Sequence, residues 1–271
     1  MQSVRGLQDI ASGFDAFIID QFGVIHDGAK LYPGALDAMA GLKAAAKKVV
    51  ILTNSGKRRV ANQARIVAMG IPAELFIDVV SSGDVAYRAI ASGAHGHPRN
   101  ACIIGKEGET YDFGGLDLDL VSRPEQADIL IVLGSNTPAT TLDGYAHLLE
   151  PAARLAIPAI CCNPDKLMMT STGLHPAPGA IAALYEELGG KVAWVGKPYQ
   201  AIYKHALAAA GNPAPVRTLC IGDSLEHDIK GGKKAGLKTC LVRTGIATNT
   251  SDQDIAAATP RPDFILQSLR W

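Results

Sequence analysis

Two hydrophobic rhythms alternate along the chain. Short, nearly unbroken apolar runs rich in Val and Ile, such as "DAFIID" (15–20), "KVVILT" (48–53) and "DILIVL" (128–133), read as strands buried on both faces. Runs of the same kind are "DVVSS" (78–82), "ACIIG" (101–105), "IPAICC" (157–162), "KVAWV" (191–195), "RTLCIG" (217–222), "KTCLVR" (238–243) and "DFIL" (263–266). Between them, "GALDAMAGLKAAAKK" (34–48), "RVANQARIVAMG" (59–70), "GAIAALYEELGG" (179–190) and "QAIYKHALAAAG" (200–211) have helical period, with Gly at or just past their ends. Strands alternating with helices predict an α/β fold built on a parallel sheet.

Three strands end in a polar cluster: "FIID", "LTNSG" and "CIGDS". Ligands of open α/β sheets sit at the carboxyl ends of strands near the switch in strand order, so these three ends mark a site. They lie on both sides of a middle stretch whose edges carry the turn residues "SSGD" (81–84) and "HPAPG" (175–179). The expected organisation is therefore a discontinuous core, 1–82 and 178–271, with an α/β domain inserted at 83–177.

Composition narrows the partners. The chain has 271 residues, enough for two modest domains of about 100–200 residues each. Lys plus Arg equals Asp plus Glu at 26 each, so no global field draws nucleic acid or an anionic membrane, and a small ligand at a local site fits better. The start, "MQSVRGLQDIASGF", lacks an apolar signal core, and no run reaches the roughly 20 apolar residues of a membrane span. A cytoplasmic location follows as an expectation. The five cysteines form no CxxC motif, and the adjacent Cys161 and Cys162 read as reduced core thiols.

Asp20, Asp223 and Asp228 are carboxylates at or near two strand ends. Each alone has a second reading, as a turn or helix cap; together they make a hard-cation site of the magnesium type, which shares its shell with water and a substrate phosphate. Thr53 and Asn54 lie between a strand and a helix, where a hydroxyl and backbone amides favour a phosphate oxygen, or simply cap the helix. Lys197, between a strand and a proline-started helix, can supply a point charge to a phosphoryl group.

In this order and spacing, "DQFGV", "LTN", "GKP" and "GDSLEHD" resemble the four motifs of the haloacid dehalogenase superfamily of aspartyl phosphotransferases. The stretches "DGAKLYPGA", "CCNPD" and "PAPGAI" are similar to subclass IIA (NagD-like), whose members carry a large α/β cap and include phosphatases of phosphoglycolate, pyridoxal phosphate, nitrophenyl phosphate and sugar phosphates. The resemblance implies a magnesium-dependent phosphohydrolase of a small phosphorylated metabolite, with Asp20 as nucleophile. Thr53, the Asn54 backbone amide and Lys197 would hold the phosphoryl group. Mg2+ would be bound by Asp20, the Phe22 backbone carbonyl, Asp223 and Asp228. In the cap, Asn163, Asp165 and His175 become candidate substrate contacts, and pairing of caps into a homodimer is expected by the same analogy.

One position departs from the pattern. Phosphatases of this superfamily normally carry Asp two residues after the nucleophile, as the acid that protonates the leaving group; here it is Phe22. His26 and Asp27 are the nearest replacements in sequence. The alternative is a catalytically weak phosphate-ligand-binding or regulatory protein that retains the site.

Overall fold

The structure, a computed structural model, describes residues 1–170 and 173–271. The chain forms two compact units: Met1–Thr53, Arg59–Val80 and Lys197–Trp271 in one, Asn54–Arg58 and Ser81–Gly196 in the other.

The first unit is built on a seven-stranded sheet in the order Gln2–Ser3, Phe264–Leu266, Lys238–Val242, Thr218–Gly222, Ala16–Asp20, Lys48–Thr53, Asp78–Ser81. Its central strands pair in parallel, with Ile19 opposite Ile221 on one side and Ile51 on the other. All five residues of Ala16–Asp20 and of Thr218–Gly222 are buried, which is why these strands read as continuous apolar runs. Phe17, Ile19, Ile51, Leu219 and Ile221 join one core cluster, each fully buried. Burial of side chains this size contributes about 1.5–3 kcal/mol apiece. The site-bearing strands are thus anchored at the centre of the sheet.

The second unit holds a five-stranded sheet, Lys191–Trp194, Pro158–Cys161, Ile129–Val132, Asn100–Ile104, Asp119–Leu120, all paired in parallel. A separate antiparallel pair joins Leu167–Thr170 to Gly173–Pro176. Leu130, Val132, Leu149, Ile181 and Tyr185 share its core. Among the described residues, no helix is long and apolar enough to cross a membrane.

All ten predicted strands and four predicted helices are present, but the predicted boundary at 177/178 is corrected. "HPAPG" is the entry to the helix Pro178–Glu187, with Pro178 in its first turn, and that helix packs on the five-stranded sheet, to which Lys191–Trp194 adds an edge strand. Residues 178–196 therefore belong to the second unit. At the other edge, "SSGD" opens a helix, Ser82–Ala91, where Ser81 Oγ accepts the Asp84 N–H at 3.1 Å.

Candidate active site

Strands Thr218–Gly222, Ala16–Asp20 and Lys48–Thr53 are neighbours running the same way, so Asp223, Asp20 and Thr53 emerge side by side at their carboxyl ends. From Ala16–Asp20 the sheet grows toward 48–53 on one side and 218–222 on the other, the reversal of strand order at which crevices open. Asp228 reaches the same place from a π-helical turn, Leu225–Lys230. Ser224 fixes that turn, its hydroxyl accepting the His227 N–H at 3.1 Å, while its own N–H donates to Asp228 Oδ2 at 3.1 Å.

Carboxylate oxygens of Asp20, Asp223 and Asp228 lie within 4.8 Å of one another, and all three residues are buried. Lys197 Nζ, 3% exposed, bridges two of them, at 2.7 Å from Asp20 Oδ1 and 2.8 Å from Asp228 Oδ1. Three carboxylates against one ammonium leave two negative charges in a buried site. Like charges at 4.8 Å repel by about 3–4 kcal/mol per pair at an effective dielectric of about 20. The strain shows in proton affinities. Burial, opposed by Lys197 and reinforced by Asp228 and Asp223, holds the Asp20 carboxyl above its usual range. Burial and then Asp228 push Asp223 up to about 7, although the Ile246 N–H donates to its Oδ2 at 2.7 Å. Burial disfavours the Lys197 ammonium, but Asp20 and Asp228 outweigh it and hold the proton in place. An all-oxygen donor set carrying two uncompensated negative charges fits a hard divalent cation, which would neutralise it.

Two family models match the chain: haloacid dehalogenase-like hydrolase over residues 17–118, which holds Asp20 and Thr53, and HAD-hydrolase-like over 194–271, which holds Lys197, Asp223 and Asp228. The chain belongs to the haloacid dehalogenase-like hydrolases. A solved haloacid dehalogenase-like hydrolase from Brucella suis superposes with a TM-score of 0.86 at 29% identity, covering 98% of this chain and 99% of that one. The ribonucleotide monophosphatase NagD of Escherichia coli is 29% identical over 93% of this chain and 95% of its own, in keeping with subclass IIA. A glycerol phosphate phosphatase from Mycobacterium tuberculosis, solved with magnesium, has a TM-score of 0.75 at 27% identity, covering 98% of this chain and 77% of that one.

In this hydrolase the loop after Asp20 is tightly committed. Phe22 is 53% exposed, and its ring meets that of His26 edge to face, centroids 5.8 Å apart. His26 is 1% exposed, and its Nδ1 accepts the Gly28 N–H at 2.9 Å, so the proton of the neutral ring sits on Nε2. That nitrogen lies 3.1 Å from the Gln21 side-chain nitrogen. Gln21 Oε1 is a buried oxygen without a partner, and turning the amide end over would bring it onto the imidazole N–H. Burial, then the nearby Arg65 charge, lowers His26 to about 4 against the pull of Asp27, so the ring stays neutral near pH 7. Asp27 Oδ1 accepts the N–H groups of Ala29 and Lys30, both at 2.9 Å, the arrangement of an Asx turn, and these bonds lower its pKa. Neither side chain is set up as a spare acid.

The predicted cap contacts hold their own unit together. Asn163 Oδ1 accepts the Asp165 N–H at 3.0 Å, and Asp165 Oδ1 accepts from Asn54 Nδ2 at 2.8 Å. Asn54 Oδ1 in turn accepts from the Ser82 hydroxyl at 3.3 Å. His175 is half-buried on Gly173–Pro176, opposite Met168. Thr53, buried, closes its strand in the first unit.

Sequence reasoning missed the clamp around Asp223. Gly23 (φ 86°) and Gly245 (φ 53°) lie so close to its carboxylate that a Cβ on either would overlap it. Thr244 Oγ1 donates to the Gly23 carbonyl at 2.6 Å, locking the two loops together. No local signal marked it: "RTG" follows a strand, and only the pairing of that strand with Thr218–Gly222 brings it to Asp223.

Proposed function

We propose that this chain is a magnesium-dependent phosphohydrolase of a small phosphorylated metabolite, working through an aspartyl-phosphate on Asp20. The observation that carries it is the buried cluster of Asp20, Asp223 and Asp228 with Lys197 bridging Asp20 and Asp228. Its neighbours in sequence support the substrate class: relatives matched over 93–97% of the chain are named for D-glycerol 3-phosphate, dihydroxyacetone and sugar phosphatase activities.

In this reading Asp20 is the nucleophile, so that one hard hydrolysis becomes two displacements. Lys197 orients the attacking carboxylate and offsets its repulsion for an incoming phosphate. The Thr53 hydroxyl donates to a phosphoryl oxygen. Asp20, the Phe22 carbonyl, Asp223 and Asp228 would hold Mg2+, which supplies charge neutralisation on the transferring group. Gly23, Gly245 and the Ile246 N–H fix the orientation of Asp223.

Phe22 favours a second reading, a phosphate-binding protein with little turnover. Loss of a positioned acid costs typically about 10²–10⁴ in rate, or roughly 3–5 kcal/mol of barrier. Steady-state phosphate release with magnesium separates the two, comparing 4-nitrophenyl phosphate with an alkyl sugar phosphate and using Asp20→Asn as the blank. The phosphatase reading expects Asp20-dependent release, faster from the aryl ester. Phosphate and magnesium binding without release from either ester would establish the binder.

A further inference from the structure

Asn54 and Gly196 belong to the second unit, yet each is joined by a peptide bond to a residue assigned to the phosphoryl group, Asn54 to Thr53 and Gly196 to Lys197. Asn54 is 7% exposed, and both ends of its amide are bonded: Nδ2 donates to Asp165 Oδ1 at 2.8 Å, and Oδ1 accepts from the Ser82 hydroxyl at 3.3 Å. Gly196 (φ 101°) lies against the same amide, where a Cβ would fall 2.8 Å from Asn54 Oδ1 and 2.6 Å from Ser82 Oγ. Glycine alone combines that φ with so close an approach. Segments that enter or leave the second unit at three of the four crossings of the chain, 53/54, 80/81 and 196/197, therefore meet on this one side chain.

Asp165 is anchored in turn. Its N–H donates to Asn163 Oδ1 at 3.0 Å, and its carbonyl accepts the Gly179 N–H at 2.9 Å in the first turn of Pro178–Glu187. Gly179 packs so tightly on this loop that a Cβ would fall 2.2 Å from the Pro164 carbonyl oxygen. Two residues on, Ile181 is fully buried in the core of the second unit. The Asn54 amide is thus tied through Asp165 to a helix of that core. With its donor end on a carboxylate and its acceptor end on a hydroxyl, it has one orientation. Phosphoryl transfer rewards such fixity, because a displacement of about 1 Å in a group that meets the reacting atoms can cost about 100-fold in rate.

Resting on the phosphatase reading above, we propose that Asp165 is a positioning residue and not a substrate contact: it orients Asn54 and, through the 53–54 peptide, the Thr53 hydroxyl that meets the phosphoryl group. Two consequences separate this role from recognition of the leaving group. The phosphoryl group is common to every ester, so loss of the Asp165 bond weakens all esters by one factor and weakens inorganic phosphate as well. An oxygen acceptor is enough for the Asn54 amide, so asparagine at 165 serves where alanine does not, whereas recognition through the charge of Asp165 is lost with either.

The test compares Asp165→Ala and Asp165→Asn with the unaltered full chain. Turnover of 4-nitrophenyl phosphate and of an alkyl sugar phosphate is measured with magnesium, and titration calorimetry gives the affinities for inorganic phosphate and for magnesium alone. Asp165→Ala is expected to lower kcat/KM by the same factor for both esters, roughly 10–100-fold, and to weaken inorganic phosphate while magnesium still binds as before. Asp165→Asn should recover most of the loss. An equal loss in both variants, or a loss confined to one ester, would overturn the inference and return Asp165 to recognition of the leaving group. If Asp165→Ala no longer binds magnesium, and so has not folded, the asparagine variant decides, since positioning expects its activity kept and recognition through charge expects it lost. If the unaltered chain releases phosphate from neither ester, the phosphatase reading fails and the phosphate titration judges this inference separately: affinity weakened by alanine and restored by asparagine supports it, and affinity unchanged by alanine overturns it. A chain that neither releases nor binds phosphate overturns both.

Discussion

At the scale of single residues, the cluster is held by one cation and strained by two carboxylates in excess of it. Replacing Lys197 by Met leaves Asp20 and Asp228 buried without their counter-charge, at positions 8% and 1% exposed. Breaking a buried pair in this way costs about 3–5 kcal/mol. We expect that loss in denaturant unfolding of the metal-free K197M variant at pH 7, and a smaller loss at lower pH as Asp20 and Asp223 take up protons. An unchanged midpoint would mean the ammonium does not offset the carboxylates. Asp223 gives a second prediction. Its folded pKa of about 7 stands above the ordinary 3.8, so the folded metal-free chain keeps a proton that the unfolded chain releases. The stabilisation from that proton is fully present below about pH 4 and is lost as pH rises through about 7. A divalent cation competes for the same oxygen, so its affinity should rise with pH up to about 7, by up to about tenfold per unit where one proton is displaced. Titration calorimetry in buffers of different ionisation enthalpy measures both affinity and proton release; a flat affinity between those limits would remove Asp223 from the binding step.

At the scale of elements, each acidic side chain is aimed by the turn that follows its strand, and the Asp223 clamp is the most exacting. Gly245 adopts φ 53° with the Asp223 carboxylate against its Cα. Gly245→Ala must push that carboxylate aside, and loss of such orienting contacts typically costs about 10–100-fold in metal affinity. We expect that fall in magnesium titrations, with the far-ultraviolet circular dichroism spectrum unchanged; unaltered affinity would show that the carboxylate is free to relocate. Part of this was readable in advance. Asp20, Thr53 and Asp223 stood out because a β-branched run buried on both faces ends abruptly in a polar side chain, a signal local to a few residues. The clamp was not readable, because Gly23 and Gly245 meet only when strands Ala16–Asp20, Thr218–Gly222 and Lys238–Val242 lie in register, and no local pattern encodes that meeting. The setting of His26 was unreadable for a related reason. Sequence offered it, with Asp27, only as the nearest replacement acid, and here Gly28 and Gln21 take both ring nitrogens and burial is nearly complete. The sequence of the helix Pro178–Glu187 does not say which sheet it covers, and the packing of Ile181 and Tyr185 assigns it to the five-stranded one.

At the scale of the whole molecule, the chemistry and the fold divide unequally between the two units. Asp20, Thr53, Lys197, Asp223 and Asp228 all belong to the unit with the seven-stranded sheet, although the chain leaves that unit after Thr53 and again after Val80 before returning at Lys197. The second unit has its own sheet and its own core, in which Leu130, Val132, Ile181 and Tyr185 are buried independently of any ionisable cluster. A ligand that binds only the native cluster should therefore stabilise one unit more than the other. At 100 times its dissociation constant such a ligand contributes about 2.7 kcal/mol, which slows exchange of amides that open by unfolding of that unit roughly 100-fold. Magnesium should thus protect amides of Ala16–Asp20 and Thr218–Gly222 in hydrogen exchange while leaving Ile129–Val132 and Pro158–Cys161 nearly unchanged, and Asp223→Asn should erase the difference. Equal protection of both sheets would mean that the chain opens as one cooperative body, and that binding at the carboxylates is felt through all four crossings of the chain between the units.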